Sequence, residues 1–387
     1  MRVGIIGLGF RLGYLGHVFS TVEENFEIVG YVDPQPAGLP GLLEKGISAG
    51  KAYATPEELI RNEALDLLMI GSPNHLHLDH IRIGLEAGLK VFCEKPVVTT
   101  IEQSLELAAL MARHGHERLA VGLVLRYSPM YRDLLAAQAK GLLGDVVSIE
   151  ASEHIAPYHG AFFMRDWRRY ERYAGSFMLE KCCHDLDLYN GVVGARPERV
   201  ASFGGRKSFV PANDPAQAGV NDLDVFHRKP SGWMGSDKVF DSDADIIDYQ
   251  VAIVEYANGV GLNFHTNLNV PDEFRRFCVI GTRGMAEGDF VRAYLNVHEV
   301  LSGEKVVANE YSRQTTLSHH YGADEQMAAD ILAHLQGGAP LPVSTLNALE
   351  AGLLALSMDE ARTKRTVVDM RPLWDRFDEA LQSRRAA

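Results

Sequence analysis

Val3-Gly4-Ile5-Ile6-Gly7-Leu8-Gly9-Phe10-Arg11-Leu12-Gly13 is the stretch whose reading decides the fold. Val3 to Ile6 reads as a short buried strand, and the glycines that follow read as a turn into a helix. Gly7 allows the tight turn, and Gly9 lets the backbone approach a pyrophosphate at the N-terminus of the helix that Phe10 opens. The third glycine of the usual dinucleotide fingerprint is displaced, because Leu12 holds its place and Gly13 follows. A glycine pattern alone is weak evidence. Asp33, at the end of the next strand run (Ile28 to Val32), strengthens it. A carboxylate there accepts hydrogen bonds from both ribose hydroxyls and repels a 2′-phosphate, so the expected cofactor is NAD rather than NADP.

Short β-branched runs and helical patterns continue to alternate outward from that turn. Leu67 to Ile70, Leu89 to Cys93 and Leu119 to Gly122 are further strand candidates, with helix candidates near 14 to 24, 56 to 62, 76 to 87 and 101 to 114. This predicts an N-terminal doubly wound parallel sheet of Rossmann type over residues 1 to 122. After Gly122 the pattern changes to a helix (Pro129 to Lys140) and longer alternating strands at 146 to 154, 198 to 204, 248 to 256, 259 to 267, 274 to 281 and 292 to 300. Residues 123 to 387 are therefore expected to form a C-terminal α+β domain with a large, open, mostly antiparallel sheet. The fold class is α/β. Asn258-Gly259 marks a hairpin turn, the segment 211 to 245 reads as a long excursion, and two helices near 323 to 336 and 345 to 362 finish the chain.

The strand Leu89 to Cys93 runs into Glu94-Lys95-Pro96, about 80 residues after the glycine turn. In a sheet of this order the position brings a lysine to where a nicotinamide would sit. A lysine can orient a hydroxyl or carbonyl and, if desolvated, lose its proton near neutral pH. The X-Pro bond behind it restricts the backbone. A surface turn with ordinary charges is the competing reading of the tripeptide taken alone.

With 387 residues, 46% hydrophobic and 23% charged, the chain can bury a sizeable core and should split into about two domains. A formal net charge of -13 disfavours nucleic acid and anionic membrane surfaces as partners. No apolar run approaches the roughly 20 residues that span a bilayer. Met1-Arg2 leads straight into the first strand without a signal-peptide pattern, which gives a cytoplasmic expectation. The four cysteines, Cys93, Cys182, Cys183 and Cys278, form no paired framework, and this fits a reducing compartment.

Gly7-x-Gly9, Asp33-Pro34, Ser72-Pro73-Asn74-x-x-His77 after a strand, and Glu94-Lys95-Pro96 together resemble the glucose-fructose oxidoreductase, inositol dehydrogenase and rhizopine-catabolism (Gfo/Idh/MocA) family. The resemblance covers nearly the whole chain. As a set the motifs are specific to the family and poorly specific for the substrate. The resemblance implies an NAD-dependent oxidoreductase acting on a sugar, cyclitol or sugar derivative. Gly7, Gly9, Phe10, Asp33, Ser72, Asn74, His77, Glu94 and Lys95 would then contact the cofactor or support its pocket.

Glu180-Lys181-Cys182-Cys183-His184-Asp185-Leu186-Asp187 is the second chemical constellation. On a helix, Leu179, Cys182, Cys183 and Leu186 share one face, while Glu180, His184 and Asp187 form a stripe along its edge. The family carries an aspartate four residues before the histidine. His184 therefore matches directly and Glu180 departs by one methylene, which leaves three roles open to it: binding a sugar hydroxyl, tuning Lys95, or pairing with a cation. Lys95, His184 and Glu180 are the candidate catalytic residues, with Lys95 and His184 sharing the proton work as base and orienter. A solvated helix face is the bland alternative. Adjacent cysteines diverge on a helix and lack Cys-x-x-Cys spacing, so no metal is expected.

The run from Phe162 to Tyr170 places Arg165, Arg168 and Arg169 around Trp167, after Tyr158 and His159. It reads as a cationic, aromatic patch suited to stacking on a sugar or nicotinamide and to clamping an anionic group. Trp167 and Arg168 resemble a loop that the family places near the nicotinamide. Tyr127, Tyr158, His159, Arg165, Arg168 and Asp187 are the candidate substrate contacts, and ordinary ion pairing competes for Arg165 and Arg169. Tyr127 and the later His319-His320-Tyr321 read more naturally as packing residues. Two rival functions stay open. One is a redox-neutral lyase or glycosidase of the same family, working by transient oxidation with His159, Tyr158 or Glu180 as an added base. The other is a non-catalytic NAD-binding regulator. An open antiparallel sheet with apolar residues such as Val251, Ile253, Leu262 and Phe264 also predicts a homodimer or homotetramer.

Overall fold

The computed structural model of the protein describes residues 1–219, 224–230, 232–311 and 319–382. Six strands, β1 (Arg2–Ile6), β2 (Glu27–Val32), β3 (Lys51–Ala52), β4 (Leu67–Ile70), β5 (Lys90–Cys93) and β6 (Leu119–Val121), form one parallel sheet in the order β3-β2-β1-β4-β5-β6. This is the doubly wound order in which the chain reverses direction across the sheet beside β1, at the carboxyl ends of the strands. Val3, Ile5, Leu67, Leu68, Met69, Ile70, Val91, Phe92 and Cys93 are all fully buried, as strands covered on both faces require.

The second sheet has nine strands. They are β7 (Val146–His154), β8 (Pro197–Gly205), β9 (Tyr249–Tyr256), β10 (Gly261–Asn267), β11 (Phe274–Gly281), β12 (Gly284–Asp289), β13 (Tyr294–Glu299), β14 (Lys305–Glu310) and β15 (Val368–Asp369), in the order β14-β13-β12-β11-β7-β10-β9-β8-β15. Every pairing is antiparallel except β10 with β7. The hairpin expected at Asn258-Gly259 joins β9 to β10, with Gly259 at φ 83° and its N–H donating to the Tyr256 carbonyl. The run 292 to 300 falls within a further pair of hairpins, β12-β13-β14. The sequence pattern misses β12 and β14 because Gly284, Gly288 and the polar β14 dilute the alternation.

The chain divides into two compact units, residues 1–127, 323–352 and 373–387 in the first and 128–322 with 353–372 in the second. The sequence reads as a single break at 122. In the structure the helix Ala323–Gly337 and the start of Thr345–Lys364 return to the first unit, where Thr345 Oγ1 donates to the Leu119 carbonyl at 2.6 Å. A third helix, Arg371–Gln382, follows the two that were expected. It buries Trp374 and Phe377, three residues apart, with Leu373 and Leu381 half-buried on the same side.

Among the described residues no helix is long and apolar enough to cross a membrane.

Candidate active site

In the first unit, the glycine turn works as its sequence implies. Gly7 has φ 83°, and a Cβ there would lie 2.2 Å from the backbone nitrogen of Ser72, so no other residue fits. Gly9 caps the helix Phe10–Val22, and a Cβ on it would meet nothing within 4 Å among the described residues. Packing therefore does not require that glycine. The open space lies at a helix N-terminus with no acidic residue in its first turn, and a pyrophosphate fits both the space and the field. The displaced third glycine has a physical answer too. Leu12 is 1% exposed, and a Cβ at Gly71, just past β4, would lie 2.5 Å from Leu12 Cγ. Close helix-to-strand packing is thus achieved by Gly71 yielding to Leu12. Gly13 permits a second close approach, to the backbone of Gly38.

Asp33 follows β2 and is partly exposed, with its Oδ1 accepting the Gln35 N–H at 2.7 Å. Burial raises its pKa above the ordinary carboxylate value, and backbone N–H groups of Gln35 and Leu8 hold that rise in check. Phe10 is 57% exposed at the helix start, a cost in water that a bound ligand would relieve. Ser72 Oγ lies 2.9 Å from His80 Nδ1, and burial with the neighbouring His77 lowers the His80 pKa to about 4. His77 is 1% exposed, its two ring nitrogens 2.9 Å from the Pro96 carbonyl oxygen and 2.8 Å from that of Ser72. It ties the Ser72-Asn74 loop to the Lys95-Pro96 loop. Asn74, 4% exposed, opens the short helical turn Asn74–Leu76 in that loop.

Glu94 ends β5 in a buried position. Its Oε1 accepts from Arg11 Nε at 3.0 Å, and its Oε2 accepts the Lys95 N–H at 3.2 Å. The Lys95-Pro96 peptide is cis. Lys95 is partly exposed. Tyr127, at the end of the first unit's leading segment, is 1% exposed and acts as a core residue there.

In the second unit, Ser176 caps the helix Phe177–Val193 by accepting the Leu179 N–H, and Gly194 ends it in the left-handed conformation. The polar stripe on this helix is not a solvated face. Glu180 and His184 are each 4% exposed and Asp187 is 1% exposed. Glu180 Oε1 accepts from Arg168 Nε at 2.8 Å, and Arg168 Nη1 donates to Asp166 Oδ1 at 2.7 Å. Of the three roles open to Glu180, cation pairing is the one the geometry supplies. Burial works against the Arg168 charge, yet the carboxylates of Asp166 and Glu180 hold its pKa above the ordinary arginine value. Its guanidinium carbon sits 4.3 Å from the Trp167 ring centre and 5.5 Å from that of Phe162. Trp167 is 7% exposed.

Arg165 takes a different role from the substrate contact expected of it. It is 5% exposed and donates to three backbone carbonyls, those of Ser236 (3.1 Å), Phe226 (3.2 Å) and Lys229 (3.2 Å). It therefore holds the 224–236 segment. Arg169 likewise serves Asp243 and the Met234 carbonyl. Tyr158 stacks on His159, which in turn stacks on Phe163, at ring separations of 6.0 and 5.7 Å.

Behind the helix lies a buried charge network that the linear sequence conceals. Arg275 on β11 donates to both carboxylate oxygens of Asp185 at 2.8 Å and pairs with Glu153 on β7 at 2.9 Å, and Glu153 also pairs with Lys181 at 3.0 Å. Lys181 and Asp185 are an i, i+4 pair, which was its one legible signal. Burial pushes the Tyr321 pKa up, against a hydrogen bond with Arg275. His320 and Tyr321 have φ of 53° and 59°, the left-handed region, and the His320 ring centre lies 6.0 Å from that of His184. The left-handed backbone at these two non-glycine residues is a costly conformation that the surrounding structure must hold. The side chain of His319 lies outside the described residues. Among the described residues no group of three or more His, Cys, Asp or Glu could hold a metal ion.

Family models decide the kinship. The NAD-binding Rossmann model of the oxidoreductase family Gfo/Idh/MocA matches residues 1–123, and that family's C-terminal alpha/beta domain model matches residues 139–370.

The chain belongs to the Gfo/Idh/MocA oxidoreductase family. The oxidoreductase YteT of Bacillus subtilis is 25% identical to this family member over 309 residues, 70% of this chain and 71% of that protein. Inositol 2-dehydrogenase of Corynebacterium glutamicum (strain R) is 26% identical over 199 residues, 51% of this chain, so the chain spans 55% of that relative's length. A levoglucosan dehydrogenase solved with NADH and levoglucosan has the same fold, with a TM-score of 0.75 at 17% identity over 96% of this chain and 99% of that one. The family's N-terminal domain is NAD-binding, and the turn at Gly7 to Phe10 and Asp33 both lie within it.

Proposed function

We propose that the protein is an NAD-dependent dehydrogenase of a secondary alcohol on a sugar, cyclitol or sugar derivative, with Lys95 and His184 carrying the hydroxyl proton. The observation that carries this reading is the helix Phe177–Val193, where Glu180, His184 and Asp187 are held in a buried polar row and Glu180 is already neutralised by Arg168. Burying polar groups costs stability unless they are paired, and a buried row of titratable groups is a candidate functional site. The inositol and levoglucosan dehydrogenases among its relatives support the substrate class.

When bound, NAD supplies the hydride acceptor. The residues of this chain do the rest. One of Lys95 and His184 accepts the hydroxyl proton as the carbinol carbon loses hydride, and the other orients the oxygen. Glu94, fixed by Arg11, holds the Lys95 backbone through its N–H. Asp187 serves as a hydroxyl acceptor. Trp167 and Arg168 form an apolar and cationic wall. A spectrophotometric screen of inositols, levoglucosan, common aldoses and their uronates with NAD tests the proposal. NADH formation with at least one of them is expected, and none with any of them would refute it.

A further inference from the structure

Lys229 lies on the short segment after the helix Asp224–His227, in the second unit, and the sequence pattern gave it no role. Its Nζ is 5.5 Å from the Phe162 ring centre and 5.7 Å from that of Tyr158. Phe162 is the ring that Arg168 also faces, at 5.5 Å, so Lys229 adjoins the Arg168-Glu180 pair one turn before His184. The Lys229 carbonyl accepts from Arg165, and this fixes the segment that carries the ammonium. Among the described residues no carboxylate lies within ion-pair distance of that ammonium. Arg165, Arg168, Arg169 and Lys181 in the same region are all engaged with protein carboxylates or carbonyls.

We propose that Lys229 is the anchor for a carboxylate on the substrate, and that the enzyme selects acidic sugars of the uronate class over their neutral counterparts. This rests on the dehydrogenase reading and narrows it. A half-buried ammonium between two aromatic faces retains its attraction for an anion, because little water screens it. The anion is a monoanion. Arg168 is already outnumbered by Asp166 and Glu180, so the neighbourhood has no surplus positive charge for a phosphate dianion. Burial, with Lys181 and Arg168 nearby and Glu273 opposing them, lowers the Lys229 pKa to about 8. Arg228 and the Tyr158 hydroxyl are the other titratable groups facing it, and burial raises the Tyr158 pKa. The anchor is therefore charged below pH about 8 and loses its charge above it.

The test uses the NAD- or NADH-loaded enzyme with glucuronate against glucose and galacturonate against galactose, measuring binding by calorimetry and turnover by NADH absorbance. At pH 7 at least one uronate should bind about 10- to 100-fold more tightly than its neutral parent, the range of one charge-assisted contact. Lys229→Met should abolish that preference while changing affinity for the neutral sugar less than about threefold, and Lys229→Arg should keep most of it. Raising the pH from 7 to 9 should weaken uronate binding to the wild type and leave Lys229→Met unchanged. No uronate preference in the wild type, or equal losses for both sugars in Lys229→Met, overturns the anchor. A Lys229-dependent uronate preference in binding without NADH formation from any sugar sustains the anchor and sinks the dehydrogenase reading instead.

Discussion

Arg11 Nε donates to Glu94 Oε1 at 3.0 Å while its Nη2 donates to Asp324 Oδ1 at 2.6 Å, so one guanidinium joins the glycine turn, the end of β5 and the returning helix Ala323–Gly337. Asp324 has no exposed side-chain surface, and burial opposes the Arg11 charge until both carboxylates outweigh it and raise its pKa above the ordinary value. Arg11→Met would strip the buried Asp324 and Glu94 carboxylates of their shared guanidinium partner. The expected cost is roughly 2 to 4 kcal/mol, since removing one partner of a buried pair is far worse than replacing both. Arg11→Met with Asp324→Asn should recover part of it. Urea unfolding of the two variants checks this, and a single variant as stable as wild type would show the pair to be incidental.

Asp33 is expected to set the cofactor preference. Its partial burial already disfavours its own charge, and a 2′-phosphate beside it would add like-charge repulsion in a poorly screened site. NAD should bind more tightly than NADP, and Asp33→Ser should narrow the gap by weakening NAD and tolerating NADP. Fluorescence titration with both nucleotides measures it. Equal or tighter NADP binding to the wild type would remove Asp33 from the ribose.

Much of this was legible in the chain because local rules and tertiary demands coincide there. The six-stranded sheet follows from β-branched runs buried on both faces, and Gly7 announces its turn because a side chain would strike Ser72. The two-residue strand β3 and the largely exposed strand β14 are not read without the neighbours they pack against, whereas the helix Arg371–Gln382 carries Leu373, Trp374, Phe377 and Leu381 at helical spacing, a local signal that the reading passed over. Site chemistry split along the same line. Lys95, His184 and Glu180 stand in recognisable local patterns. The Glu153-Arg275-Asp185 network, the Lys229 ammonium and the bend at His320 come from residues far apart in sequence, and only the fold brings each to its partner. Arg165 stayed open between ligand and ordinary pairing because an arginine beside a tryptophan looks the same whether it meets a ligand or the protein's own carbonyls.

The nine-stranded sheet predicts self-association. Phe203 on β8 is 68% exposed and Ile253 on β9 is 65% exposed, while Leu262 and Phe264 turn to the covered face at 1% and 0%. Ala201 pairs directly with Ile253, and Phe203 with Val251, so these side chains form one apolar corner on a face that also carries Asn263 and His265. A dimer or tetramer closing over this face is expected in light scattering at micromolar protein. Ile253→Asp and Phe203→Asp should shift the mass toward the monomer without unfolding the chain. A monomeric wild type would end this expectation.

The proton path gives the sharpest test of the proposed chemistry. Lys95 projects from the end of β5 beside a Glu94 that is held by Arg11, and His184 sits one turn beyond a Glu180 that is held by Arg168. In both places a carboxylate is paired with an arginine, which fixes the local structure around the lysine and the histidine. Positioned proton transfer contributes about 10²- to 10⁴-fold. Lys95→Ala and His184→Ala should each lower kcat by about that factor while NAD binding, followed by fluorescence, stays within a few-fold of wild type. Combining them should cost less than the product of the two if both serve the same proton, because removing either already breaks the path. Lys95→Arg should not rescue activity, since a guanidinium does not give up its proton in a protein. Near-normal turnover in both alanine variants would refute the assignment and move attention to His320 and Tyr158.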